Sequence, residues 1–194
     1  ITELKGDVTV DDQRVTIPWL RLSTPASTIN GKANVYYSFV DSINPGQMAV
    51  DLDASVSKHD LAHFIDIDTH ALPEWPLTLK GSMAGNTRHA TFSIQQLSWP
   101  TIIEVEGSGI AENLTDEKNL KARMSMRVDT YDMQPLLTTI MGRKPSFTIP
   151  QGLRVQGRFN AEGQNFTADI AARHGDGTAR ATGSTSPTTP PSAA

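Results

Sequence analysis

His59 and His63 stand four residues apart in Ser57-Lys58-His59-Asp60-Leu61-Ala62-His63-Phe64-Ile65, a segment that can make two helical turns with Ser57 as N-cap. That spacing puts both imidazoles on one helix face, where they can share a metal ion as in H-E-x-x-H peptidases. Asp60 takes the glutamate position but is one methylene shorter, which misplaces a general base. Asp66, Asp68 and His70 are close enough in sequence to offer a third ligand. A similar segment further on carries Tyr131 and Pro135 where the histidines would fall, so the pair is not part of a shared design. The reading is a solvated helix face, with Asp60 in a structural role near the helix start and no metal site assigned.

The other chemical motifs read the same way. His174-Gly175-Asp176-Gly177-Thr178 looks loosely like a calcium or phosphate loop, but glycines around an aspartate favour a hairpin turn. Asn113-Leu114-Thr115 and Asn165-Phe166-Thr167 match a glycosylation pattern that is common by chance. No serine sits in a nucleophile elbow, no glycine-rich phosphate loop opens a helix, and the carboxylates are scattered over strand faces. No catalytic residue and no cofactor are assigned, and the chain is read as non-enzymatic.

Composition narrows the classes further. The 194 residues carry a net charge of −4, with 38% hydrophobic and 20% charged residues. That balance suits a folded chain and lacks the basic stripe that nucleic acid requires. With no cysteine, disulfides and thiolate metal sites are excluded. No apolar run is long enough to span a bilayer as a helix. The chain opens at Ile1 inside an expected strand, without an initiator Met or signal peptide, and is read as a piece of a longer protein.

The elements that must position any site are strands. Apolar residues alternate with polar ones at Val15 and Ile17, at Val35, Tyr37 and Phe39, and at Val50, Leu52 and Val56. The pattern returns at Phe92 and Ile94, Ile103 and Val105, Met124, Met126 and Val128, and Phe166 and Ile170. A period of two means strands with one dry and one wet face, usually in antiparallel sheets. Helix is expected only near His59–His63 and over Asp129–Met141, where Asp132 can cap, Pro135 suits the first turn and Gly142 can stop the helix.

Both helices follow an alternating strand, which exposes an internal repeat. Leu4-Lys5-Gly6, Leu79-Lys80-Gly81 and Val155-Gln156-Gly157 recur at about 75 residues, as do Leu22-Ser23-Thr24-Pro25 and Leu97-Ser98-Trp99-Pro100. The expected organisation is repeat one over residues 1–76, repeat two over 77–150, a truncated third over 151–183, and a disordered Ser/Thr/Pro-rich tail over 184–194. The expected fold is all-β: an elongated, curled antiparallel sheet forming an apolar β-groove, with short helices between repeats. A closed sandwich satisfies the same alternation.

Leu20, Leu22, Thr24, Pro25, Ser27, Ile29 and Gly31, followed by Ser57, Asp60 and Leu61, resemble the motifs of the TamB/AsmA-like translocation and assembly family of Bacteroides-type envelope proteins. The resemblance covers most of the chain up to the tail. It implies a fragment of an inner-membrane-anchored periplasmic protein whose groove carries phospholipid acyl chains between membranes and supports outer-membrane assembly. It also implies contact with an outer-membrane barrel protein through parts outside this chain. The groove lining would then be the single-parity residues named above. The alternative is a sheet scaffold that binds a polypeptide by strand addition, without lipid transport.

Overall fold

A computed structural model describes residues 1–41, 43–64 and 70–185. The alternating segments all become strands of a single sheet. They are β1 (Glu3–Val10), β2 (Arg14–Ser23), β3 (Thr28–Tyr36), β4 (Met48–Val56), β5 (Leu77–Gly85), β6 (His89–Trp99), β7 (Ile103–Glu112), β8 (Lys121–Thr130), β9 (Arg154–Glu162), β10 (Asn165–His174) and β11 (Gly177–Thr185). Each pairs antiparallel with its sequence neighbours in strict order from β1 to β11. Helix α1 (Lys58–Phe64) follows β4, and α2 (Gln134–Met141) follows β8. The sheet is not closed into a barrel, and β1 and β11 are its two edges.

Opposed residues in an antiparallel ladder point to the same face, so the register can be followed across the sheet. One row runs Gly6, Leu20, Gly31, Leu52, Gly81, Ile94, Gly107, Met126, Gly157, Ile170, Ala181. Every strand from β1 to β9 that lacks a large residue in this row has a glycine there. At Gly6 the glycine makes room for its neighbour: a Cβ there would come within 3.0 Å of Leu20 Cδ1.

Two strands carry one extra residue. Between Ile17 and Leu20 on β2, and between Ile94 and Leu97 on β6, three steps oppose two on the neighbouring strand. These β-bulges change the parity that faces the apolar side, so Val15 and Ile17 are succeeded by Leu20 and Leu22, and Ile94 by Leu97. Pro18, which cannot donate to a ladder, sits in the first bulge.

The buried core lies at one end of the sheet. Leu72, Trp99, Ile102 and Met133 form it, with Leu61 of α1 and Leu136 and Leu137 of α2 packed against them. Side-chain oxygens accept N–H groups at the start of both helices, although the N-cap of α2 is Met133, one residue past Asp132, and makes no side-chain cap bond. In α1, Ser57 Oγ accepts the Asp60 N–H at 3.2 Å. In α2, Asp132 Oδ1 accepts the Gln134 N–H at 3.1 Å, Pro135 lies in the first turn, and Gly142 ends the helix at φ +63°.

Three expectations are corrected. Tyr37 and Phe39 do not continue β3: the chain turns into a short 3-10 helix over Tyr37–Val40, its Tyr37 N–H donating to Gln13 O at 2.8 Å. The strand thus ends three residues earlier than the sequence pattern suggests, at Tyr36 instead of Phe39. A closed sandwich is not formed, because all strands belong to one sheet in sequential order. Ser184 and Thr185 pair with Thr167 and Phe166, so the start of the Ser/Thr/Pro segment is strand, and residues 186–194 lie outside the described residues.

Candidate functional site

The candidate site is the apolar face of the sheet. On it the register brings together Val15, Ile17, Val35, Val50, Leu52, Val56, Phe92, Ile94, Ile103, Val105, Met124, Met126, Val128, Phe166 and Ile170. The rows from Leu4–Leu22–Ile29 to Val10–Val15–Val35, which contain all of them but Val56 and Ile103, carry no ionisable side chain on any strand. Leu52, Ile94, Met126 and Ile170 are half-buried, while the alternate residues Asp53, Gln95, Ser125 and Ala171 are exposed. Towards β1 the face opens fully to solvent, with Leu4, Val8 and Val10 about two-thirds exposed.

Not every member of the set is open. Val105 is buried, and Ile103 packs on the Trp99–Ile102–Met133 cluster. For these two, ordinary core packing under the helices accounts for the apolar side chain. The helices therefore stop the apolar face at one end, whereas Phe166 at the opposite end is exposed.

Several residues of the face escape a reading by simple alternation. Leu20, Leu22, Leu79, Leu97 and Phe159 all belong to it. Leu20, Leu22 and Leu97 lie past the bulges, where parity flips; Pro18 within a strand pattern was the available signal. Phe159 stacks on Phe166 with ring centroids 6.1 Å apart, a pair that alternation within one strand cannot reveal.

The opposite face is polar and laced with cross-strand ion pairs. Lys32 meets Asp51 at 3.5 Å, and Arg180 meets Asp169 at 2.5 Å. Asp129 receives Arg154 Nε at 2.6 Å and Arg127 at 2.8 Å. Partial burial pushes Asp129 up, but the two guanidiniums outweigh it and hold the carboxyl below its ordinary value. Two cavities open on this face. One of about 830 Å³ is walled by Glu106, Arg127, Arg158 and Arg180; the other, of about 550 Å³, by Trp19, Lys32, Asp51 and Asp53.

Comparison with protein-family models, curated proteins and solved structures gives no match.

The motif T-P-x-S with S-x-x-D has a local structural purpose. Thr24 Oγ1 donates to Asp60 Oδ2 at 2.5 Å, Ser27 Oγ donates to the same oxygen, and Ser57 Oγ lies 3.2 Å from it. Ser27 Oγ in turn accepts the Ser57 N–H at 2.9 Å. The hydroxyls of Ser27 and Thr24, joined by that of Ser57, hold the Asp60 carboxyl below its ordinary value. The cluster ties the β2–β3 turn to the start of α1. At α2 backbone bonds replace it: Tyr131 N–H donates to Ile102 O and Asp132 N–H to Thr101 O. Asp60 and Asp132 thus occupy similar places in sequence but make different contacts.

The histidine pair gathers no ligand set. His63 Nδ1 lies 2.8 Å from the His59 carbonyl oxygen, and His59 Nε2 lies 3.7 Å from Glu74. Asp66 and Asp68 fall outside the described residues; among the described residues no group of three His, Asp or Glu converges on a metal position. His174 and Gly177 close the β10–β11 hairpin, with Gly175 at φ +55° in the turn.

Proposed function

We propose that this chain is a segment of a TamB/AsmA-like cell-envelope protein whose apolar β-face carries phospholipid acyl chains between the inner and outer membranes. The supporting observation is the central row, in which Leu20, Leu52, Ile94, Met126 and Ile170 alternate with small residues without a charged interruption. Ten strand spacings of about 4.8 Å give that track a length of roughly 48 Å across eleven strands. Repeats of about 75 residues extend such a track without changing its chemistry, and Gly6, Gly81 and Gly157 fall at matching places in three of them.

The energetics suit carriage without catalysis. Each buried methylene contributes about 0.8 kcal/mol, so about ten methylenes laid along the row gain roughly 8 kcal/mol before ordering costs. The headgroup stays wet, and the chain slides between equivalent positions because successive strands repeat the same lining.

The test is native purification followed by lipid mass spectrometry. Wild-type protein retains phospholipid, and Leu52→Asp or Met126→Asp abolishes retention while leaving the far-ultraviolet dichroism of the sheet intact. If those variants unfold, the positions are closed core and the carrier reading falls. A folded chain that retains no lipid but captures a polypeptide returns the scaffold reading instead.

A further inference from the structure

The two β-bulges flank one hollow in the interior of the sheet. Pro18 and Trp19 form the bulge of β2, and Gln95 and Gln96 that of β6. A bulge bends its strand and re-aims the side chains beside it. Trp19 from the first and Gln95 from the second both wall the cavity of about 550 Å³ on the polar face, with β3, β4 and β5 between them.

The rest of the wall has unused bonding capacity. Asn30, Asp53 and Lys80 stand in one row across β3, β4 and β5. These three and Gln95 are exposed, and among the described residues their side chains make no hydrogen bond or ion pair. Lys32 and Asp51 add an ion pair at 3.5 Å. With Arg21 also in the lining, three cations stand beside the carboxylates of Asp51 and Asp53, so the wall carries both charges in near balance. Trp19 supplies the apolar element. It is 44% exposed, and its indole N–H donates to Asp7 Oδ2, a bond that steadies the ring without using its faces.

We propose that this hollow binds a linear, neutral oligosaccharide lying across β3, β4 and β5. A pyranose ring has a face of C–H bonds, which suits the electron-rich face of an indole. Its hydroxyls both donate and accept, so they pair with a carboxylate, an ammonium and two amides alike. Successive strands lie about 4.8 Å apart, close to the length of one pyranose unit, so the row offers one polar side chain per sugar. An acyl chain would leave these groups unpaired, and a polyanion would meet Asp51 and Asp53. The volume is that of a small-ligand site, about 300–1,000 Å³. The hollow is on the face opposite the apolar row, so the inference does not rest on lipid carriage.

The probe is an array of linear neutral hexose and N-acetylhexosamine oligosaccharides, screened with the full chain. The tightest ligand is then titrated by calorimetry. Saturable binding is expected, weakened roughly tenfold or more by Trp19→Ala and by Asp53→Ala. Asp53 makes no side-chain bond within the described chain, so its variant keeps the fold even if the Trp19 variant does not. Arg158→Ala, in the larger hollow, should leave the affinity unchanged. Nuclear magnetic resonance shifts on titration should centre on the Trp19 indole and the Asn30 and Gln95 amides. An array with no bound sugar overturns the proposal, as does unchanged affinity in Asp53→Ala or in a folded Trp19→Ala. Binding confined to acidic saccharides overturns it too, by giving the hollow to an anion.

Discussion

Met126 on β8 and Gly107 on β7 lie opposite each other, and a Cβ added at Gly107 would stand 3.1 Å from Met126 Cγ. The glycine is the space into which the methionine leans. Two positions along the same strand the fit is tighter, since a Cβ at Gly109 would overlap the Phe92 ring and come within 2.7 Å of the Arg123 carbonyl oxygen.

Gly109→Ala should therefore cost about 1–3 kcal/mol through overpacking, and more than Gly107→Ala. Gly183→Ala meets nothing within 4 Å and should be neutral or stabilising by about 0.4–1 kcal/mol through the unfolded chain. Urea unfolding of the three variants checks the order; three equal midpoints would contradict the packing argument.

Asp60→Ala should destabilise the chain by about 2 kcal/mol near neutral pH, because hydroxyl bonds to a charged carboxylate are lost. The hydroxyls lower the folded-state pKa from the ordinary 3.8. The stabilisation is thus fully present above that value and lost as pH falls through the lower folded value. Stability curves of wild type and Asp60→Asn should converge in that acid range, and a constant gap would refute the assignment.

Ile102 is 1% exposed at the centre of the cluster under the helices. Ile102→Ala should cost about 2–5 kcal/mol by loss of transfer energy and cavity formation. Because Trp99 lines the same cluster, its fluorescence should report the loosening. An undisturbed midpoint and emission spectrum would place the core elsewhere.

Zinc should leave the thermal midpoint of the chain unchanged, and His59→Ala and His63→Ala should each shift stability by no more than about 0.5 kcal/mol. The two rings spend their contacts on Glu74 and on the helix backbone. A zinc-dependent rise in midpoint that vanishes in both variants would establish the metal site that the i, i+4 spacing first suggests.

Much of the fold was legible because strand alternation is a local property. The parity of Val50, Leu52 and Val56, or of Met124, Met126 and Val128, follows from backbone geometry that neighbouring residues alone impose. Turn and cap signals were local too, as Gly142, Pro135 and Gly175 show. Tyr37 and Phe39 misled because the turn that removes them from β3 is held by Gln13, distant in sequence. Leu20 and Leu97 escaped because one inserted residue reverses which parity faces the apolar side.

By itself, then, the sequence determined an all-β chain of alternating strands, two short capped helices and the absence of a recognisable catalytic motif. Tertiary structure alone decided that the strands form one open sheet, that the glycines of separate strands align into a row beside Leu52 and Met126, and that Thr24, Ser27 and Ser57 converge on Asp60. The physical reason is register. Each strand knows its own two faces, but which residues stand side by side across a sheet depends on loop lengths, bulges and pairing order, none of which acts within a single strand.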